Sequence, residues 1–166
     1  MSKRTCAAVL VAACSLVATS SASAGGWSPP PTDTVYGSGN NNHPTVENGF
    51  SIAAGSLADG TKARGFFEFH GLTNPRDVII ADIKCLAVSG RFATVVGRIL
   101  YNRNTAGSNL VGRYHIVRLE DGGPGSQDEI RNQLLPPGTP QPACPTPADI
   151  TPSRGLSSGD ITITDS

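Results

Sequence analysis

Apolar residues in this chain alternate with polar ones along short stretches. Between residues 65 and 70, Phe67 and Phe69 fall on one face of an extended chain, and Glu68 and His70 fall on the other. Close to the C-terminus, isoleucines alternate with threonines in the same way. No long stretch shows the spacing of a helix with capping residues at its ends. This period of two predicts a protein built from β-strands.

The strand-like stretches are short, closely spaced and bounded by turn-forming residues. They are rich in valine, isoleucine, phenylalanine, tyrosine and threonine, which favour strands. Ser89 and Gly90 alone separate two of them, and so short a connection is typical of a tight hairpin. The spacing predicts an all-β fold, an antiparallel β-sandwich or barrel of about seven strands. The predicted strands are residues 48–54, 63–70, 77–88, 91–101, 110–120, 127–135 and 159–164.

Glycine and proline are abundant, with 19 and 13 among 166 residues, but they are unevenly placed. Residues 25–47 contain three consecutive prolines followed by glycine, serine and asparagine, and they offer little apolar surface. We therefore predict a flexible leader there and a single β domain over residues 48–166. A second proline-rich stretch, residues 136–148, predicts a long loop within that domain.

Residues 1–24 have the three parts of a secretory signal peptide. Lys3 and Arg4 precede an uncharged apolar stretch, and small residues ending at Ala24 form a cleavage site. The apolar stretch is too short for a membrane-spanning helix. We therefore expect a secreted, extracellular protein. A competing interpretation is a lipid anchor attached to Cys14, which follows small residues as lipoprotein cysteines do.

The charge of the exported domain differs slightly from that of the full chain. The full chain carries 13 basic and 13 acidic residues, and removal of the signal peptide takes Lys3 and Arg4 away. The remaining domain is slightly acidic and has no basic face for a phosphate backbone. Nucleic acid is excluded as a partner on this ground, and a protein or a cell-wall component is the expected partner.

Only two cysteines, Cys85 and Cys144, remain after the signal peptide is removed. In an oxidising compartment each has one available intramolecular partner, so we predict a disulfide between them. The bridge would tie the proline-rich loop to the body of the domain. The competing interpretations are a zinc site, which lacks further cysteines and closely spaced histidines, and a reactive thiol, which would leave the other cysteine unpaired.

Acidic residues cluster around three glycines and a proline between residues 120 and 129. Glu120, Asp121, Asp128 and Glu129 flank this loop in pairs. Calcium prefers several oxygen ligands on a tightly folded loop, so these four carboxylates are candidate calcium ligands. The spacing is not that of an EF-hand. The favoured alternative is an ordinary connection between two strands, in which the carboxylates are solvated or bind backbone amides.

Sequence signals for catalysis are weak. Glu68 and His70 share one strand face, which suits an acid–base pair or two metal ligands, but no third ligand accompanies them. The alternation with Val117 and Leu119 turns His115 toward the core. Gly-Leu-Ser-Ser-Gly at residues 155–159 has the Gly-x-Ser-x-Gly spacing, but no helix-like stretch follows it as in a nucleophile elbow, and no phosphate-binding glycine motif is present. We assign no catalytic residue, and no cofactor other than the candidate calcium.

Four segments form an ordered series along the chain: Gly-Phe-Phe-Glu-Phe at residues 65–69, Cys-Leu-Ala-Val-Ser-Gly at 85–90, Glu-Asp-Gly-Gly-Pro-Gly at 120–125 and Leu-Ser-Ser-Gly-Asp-Ile-Thr-Ile-Thr-Asp at 156–165. This series resembles a group of short, uncharacterised secreted proteins of actinomycete bacteria, over about residues 48–166. The resemblance implies a β-rich exported domain with one disulfide. It brings no established activity.

These observations predict a non-catalytic extracellular or cell-envelope binding module of unknown ligand. The face that we expect to bind is the loop of residues 120–129 together with Asp160 and Asp165, provided that the C-terminal strand lies beside the loop. The alternative is a small extracellular hydrolase or a hydrolase inhibitor. A hydrolase would gather distant polar residues such as Glu68 and His70 at a concave pocket with an acid from the loop.

Overall fold

The structure is a computed structural model that describes residues 31–41, 48–71, 74, 76–105, 107–147 and 154–166. The predicted cleavage site at Ala24, the alternative anchor Cys14 and parts of the leader lie outside these residues. Every regular element in the described part is a β-strand. These residues contain no helix that is long and apolar enough to cross a membrane. The strands are β1 (Asp33–Asn41), β2 (Asn48–Ser56), β3 (Arg64–Gly71), β4 (Val78–Ser89), β5 (Phe92–Arg103), β6 (Tyr114–Glu120), β7 (Glu129–Leu134) and β8 (Arg154–Thr164).

The eight strands form one closed barrel in chain order, and each is antiparallel to its neighbours. β8 pairs with β1 along residues 34–41 and so closes the sheet. The predicted all-β antiparallel fold is confirmed. Of the two predicted architectures, the sandwich of seven strands is wrong. Closure removes the free edges that an open sheet would expose, so every strand has a neighbour on each side.

β1 is the strand that the sequence pattern did not reveal, and it raises the count from seven to eight. It falls within residues 25–47, which we predicted to be a flexible leader. Val35, its third residue, is fully buried. Gly37 packs so closely on β8 that a Cβ atom there would lie 2.7 Å from the carbonyl oxygen of Asp160. Glycine in this segment therefore permits two backbones to approach, and it does not indicate flexibility.

One apolar core fills the barrel. Phe67 and Phe69 both point inward, as their alternation predicts, and their ring centroids lie 5.5 Å apart in an edge-to-face arrangement. Gly97 of β5 leaves the space that the Phe67 ring occupies. An eight-stranded barrel is just wide enough for side chains to fill it. The other residues of the buried core come from the seven remaining strands: Val35, Phe50, Ile52, Ala54, Ala81, Ile83, Leu86, Ala93, Val95, Ile99, Val117, Leu119, Ile130, Leu156 and Ile161.

A disulfide fastens the proline-rich segment after β7 to the barrel. Cys85 of β4 is bonded to Cys144 across 59 positions of sequence, with their Cα atoms 5.6 Å apart, so the predicted bridge is confirmed. At the start of the segment, the backbone N–H of Leu135 donates to the carbonyl oxygen of Tyr114 at 2.9 Å. The guanidinium group of Arg113 donates twice to the carbonyl oxygen of Leu135, at 2.9 and 2.6 Å. The segment is therefore fixed at both ends.

Removing the disulfide should destabilise the fold substantially. The bridge closes a loop of 59 residues, and chain-entropy reasoning assigns about 4 kcal/mol to a loop of that size. We expect the double variant Cys85→Ala, Cys144→Ala to lose a free energy of unfolding of that order in urea denaturation. Wild-type protein unfolded in the presence of reductant is the matched control and should lose a similar amount. Equal stability of the oxidised and the reduced protein would contradict the structural role of the bridge.

Candidate functional site

The barrel has one short seam, between β7 and β8. These strands pair at only two positions, Glu129 with Gly155 and Ile130 with Arg154. After Gly155, β8 continues beyond the first residue of β7. The other edge of β8 stays paired with β1 as far as Thr164. The loop of residues 121–128, which connects β6 to β7, lies beside this second half of β8. The backbone N–H and C=O groups of β8 that have no strand partner here therefore need hydrogen-bond partners from the loop.

Asp128 makes the central contacts between the loop and β8. Its side chain is buried, and one carboxylate oxygen accepts a hydrogen bond from the backbone N–H of Ile161 at 2.6 Å. The other oxygen accepts from the backbone N–H of Gly122 at 2.9 Å, which closes the loop on itself. The carbonyl oxygen of Asp128 accepts from the N–H of Leu156 at 2.9 Å. A single residue thus replaces a missing strand partner at two positions of β8.

Asp121 and Gln127 extend the same arrangement. One carboxylate oxygen of Asp121 accepts from the N–H of Ile163 at 3.3 Å, and the other accepts from the N–H of Gly123 at 2.8 Å. The side-chain amide of Gln127 donates to the carbonyl oxygen of Leu156. The two aspartates that we considered as calcium ligands therefore bind backbone amides, as the alternative interpretation of the loop predicts.

A tight turn brings these side chains to one side of the loop. Pro124 and Gly125 occupy its two central positions, and the N–H of Ser126 donates to the carbonyl oxygen of Gly123 at 3.1 Å. Gly125 has a φ of 83°, which a type II turn requires at its third residue and which glycine adopts without strain. The Pro-Gly pair therefore folds the chain back so that Asp121 and Asp128 both reach β8.

Glu120 and Glu129 do not join the two aspartates. They face each other across the β6–β7 ladder, and Glu120 forms an ion pair with Arg91 at 2.8 Å. Within the described ranges, no group of three or more acidic, histidine or cysteine side chains is placed to hold a metal ion. The calcium site at these residues stays a prediction.

An open groove of about 470 Å³ lies between the loop and β8. Asp121 and Asp128 line it from the loop, and Asp160, Ile161 and Thr162 line it from β8. The expected adjacency of the loop and the C-terminal strand is therefore present. Three aspartates and, among the described residues, no lysine, arginine or histidine line the groove, so its lining carries negative charge.

Asp165 lies away from this groove. Its carboxylate accepts a hydrogen bond from the backbone N–H of Gly90 at 2.5 Å, in the turn between β4 and β5. It therefore fixes the C-terminal end of β8 to a neighbouring turn, and of the two aspartates proposed from the sequence only Asp160 belongs to the groove.

Glu68 and His70 are not brought to the acidic loop. Both lie on the face of β3 opposite to the buried Phe67 and Phe69, as predicted. The imidazole of His70 packs on the backbone of Gly49 in β2. Neither residue lines the groove beside β8, so the pocket that a hydrolase would require is not formed by these residues.

A large pKa shift occurs at His115, which does not line the groove. Burial in the apolar core lowers the pKa of His115 to about 4, Asn132 counteracts this in part, and the charge of Arg113 adds a further lowering. The inward orientation predicted from the sequence is confirmed, since only 4% of the residue is exposed. A group so far from water is not placed to exchange protons with a ligand in the groove.

Comparison with protein-family models, with curated proteins and with solved structures finds no match to this chain. The resemblance to secreted actinomycete proteins therefore stays a prediction. The function has to be inferred from the groove, its charge and its place on the barrel.

Replacing Asp128 tests its role in closing the barrel. In Asp128→Asn an amide NH2 group takes the place of one acceptor, so a buried backbone N–H loses its partner. We expect the free energy of unfolding to fall by about 2 kcal/mol in urea denaturation. Asp160→Asn makes the same change of charge at an exposed position and should leave the denaturation midpoint unchanged. Equal losses in the two variants would contradict the role of Asp128.

Calcium addition distinguishes the two interpretations of the acidic loop. A cation that binds only the folded state raises the unfolding temperature. Because both oxygens of Asp121 and of Asp128 already accept backbone hydrogen bonds, we expect millimolar calcium to leave the thermal midpoint unchanged. A rise of several degrees with calcium, but not with equal magnesium, would instead establish the calcium site.

Proposed function

We propose that this protein is an exported, non-catalytic binding module whose ligand lies in the groove between the loop of residues 121–128 and β8. The observation that carries the proposal is that groove, an open space of about 470 Å³ between the loop and β8. Its walls are joined by hydrogen bonds that backbone N–H groups of β8 donate to the carboxylates of Asp121 and Asp128, so the groove exists before any ligand arrives. A preformed site avoids the cost of ordering it on binding.

The charge of the groove favours a basic ligand. Three aspartates line it, and the hydrogen bonds of Asp121 and Asp128 hold their carboxylates in fixed positions. Asp160 is exposed on β8 and is available for contact with a ligand. A positively charged chain, such as a basic peptide segment of an extracellular or cell-wall protein, suits an open groove with this charge.

The same geometry argues against a catalytic role for the groove. Its two best-placed carboxylates are committed to backbone amides on both oxygens, which leaves them poor candidates for proton transfer. Among the described residues that line the groove there is no histidine, cysteine or lysine. Binding without chemistry is therefore the function that these residues support best, and the alternative of a small hydrolase has no residue in the groove that favours it.

A labelled basic peptide tests the proposal directly. We expect a fluorescent peptide of alternating lysine and serine to bind saturably, and a peptide with glutamine in place of lysine not to bind. Removing one exposed charge with Asp160→Asn should weaken the affinity roughly fivefold, and raised salt should weaken it further. Fluorescence anisotropy gives the dissociation constants.

Asp82→Asn is the matched control for this experiment. It removes the same charge from β4, where Asp82 pairs with Lys84 and does not line the groove. Its affinity for the lysine peptide should equal that of the wild type. The proposal would be overturned if neither peptide bound, or if Asp82→Asn and Asp160→Asn weakened binding equally.

A further inference from the structure

Tyr36 lies on the outer face of β1, on the side of β8 that is away from the acidic loop. The neighbouring Val35 is buried in the core, so the side chain of Tyr36 points outward, and 47% of this residue is exposed. Tyr36 is paired in register with Thr162 of β8, which lines the groove. Because adjacent strands lie about 4.8 Å apart, Tyr36 stands only one strand beyond that wall of the groove.

The residues around the ring of Tyr36 are small. In the sheet, Ala53 of β2 and Thr162 of β8 flank it on either side. Along β1, the next residues on the same outer face are Thr34 and Ser38. None of these four side chains is large enough to cover an aromatic ring. The ring is therefore open to a ligand that extends from the groove across β8.

Asp160 brings a negative charge beside this ring. It is paired with Ser38, two residues from Tyr36 on the same outer face, so it is a diagonal neighbour of Tyr36. Diagonal neighbours on adjacent strands lie about 7–8 Å apart, within reach of aromatic and long side chains. Asp160 is exposed, and no hydrogen bond from the part of the chain that the structure describes reaches its carboxylate. In this it differs from Asp121 and Asp128.

A carboxylate next to an open aromatic ring suits a guanidinium group better than an ammonium group. The guanidinium group is planar, so that its N–H groups can pair with both oxygens of a carboxylate and its face can stack on a ring. An ammonium group is a compact, strongly hydrated charge, which pairs with the carboxylate but gains less from the ring. Tyr36 and Asp160 together therefore distinguish arginine from lysine, which the charge of the groove alone does not.

We propose that the ligand of the groove is an arginine-containing segment and that Tyr36 and Asp160 form its arginine subsite. The guanidinium group pairs with the carboxylate of Asp160 while it stacks on the ring of Tyr36. This inference rests on the proposed function, because it names the side chain that the basic ligand of the groove presents at β8. It adds a specificity-determining residue from β1, a strand that is not among those lining the groove.

Comparison of two peptides tests the subsite in the wild-type protein. A fluorescent peptide of alternating arginine and serine should bind with a dissociation constant about threefold lower than that of the lysine–serine peptide, as a stacked cation at an exposed site predicts. In NMR spectra, the ring resonances of Tyr36 should shift on addition of the arginine peptide. Those of Tyr101, which lies on β5 and is 45% exposed, should not shift.

Three variants separate ring stacking from apolar bulk. Tyr36→Phe keeps the ring and should keep the preference for arginine. Tyr36→Leu keeps only apolar bulk and should bind the two peptides equally. Tyr101→Leu is the matched control, because Tyr101 is similarly exposed on a strand that pairs with β4 and β6 and not with β8. This control should show the wild-type preference.

The possible outcomes separate this inference from the proposed function. Equal affinity of the wild type for the two peptides, or a preference for arginine that Tyr36→Leu retains, would overturn the subsite and leave the basic ligand of the groove standing. Failure of both peptides to bind would overturn both proposals.

The NMR measurement decides the matter if urea denaturation shows that Tyr36→Leu does not fold. Ring resonances of Tyr36 that stay unchanged in the wild type when the arginine peptide binds would contradict the subsite. An uncharged oligosaccharide such as chitotriose is the competing ligand. If it shifted these resonances and the arginine peptide did not, the ring would belong to a glycan site and the inference would be wrong.

Discussion

The hydrogen bond from the backbone N–H of Ile161 to the carboxylate of Asp128 is the contact on which the closure of this barrel depends. Seven of the eight junctions between strands are ladders of several residue pairs, whereas β7 and β8 share only two. Beyond those pairs, side chains of the β6–β7 loop accept or donate the hydrogen bonds that a strand would otherwise make. The loop is in this sense part of the barrel wall, although it contains no regular structure.

The same contacts create the candidate binding site. Because the loop holds β8 through the ends of its side chains and not through a backbone ladder, a space remains between loop and strand. That space is the groove, and its negative charge comes from the two carboxylates that close the wall together with that of Asp160. Stability and proposed function therefore rest on shared residues, and Asp160 is the lining aspartate that can be changed without disturbing closure.

Much of the fold was predictable from the sequence, and the failures have physical causes. Alternation placed Phe67 and Phe69 inside, and two remaining cysteines specified the disulfide. The pattern missed β1 because its inward positions include Gly37, which carries no apolar signal and serves close packing on β8. The sequence also located the acidic loop, but composition does not distinguish carboxylates that bind a cation from carboxylates that bind backbone amides. The shortness of the β7–β8 ladder depends on strand register, which no local pattern encodes.

Residue-resolved amide hydrogen exchange of the wild-type protein at neutral pH tests the central claim most directly. If carboxylates complete the barrel wall, the amide of Ile161 should exchange as slowly as amides within the β5–β6 ladder, although no strand faces it on that side. The amide of Gly125, at the tip of the loop, should exchange quickly and serves as the internal reference. An Ile161 amide that exchanges as fast as that of Gly125 would contradict the account.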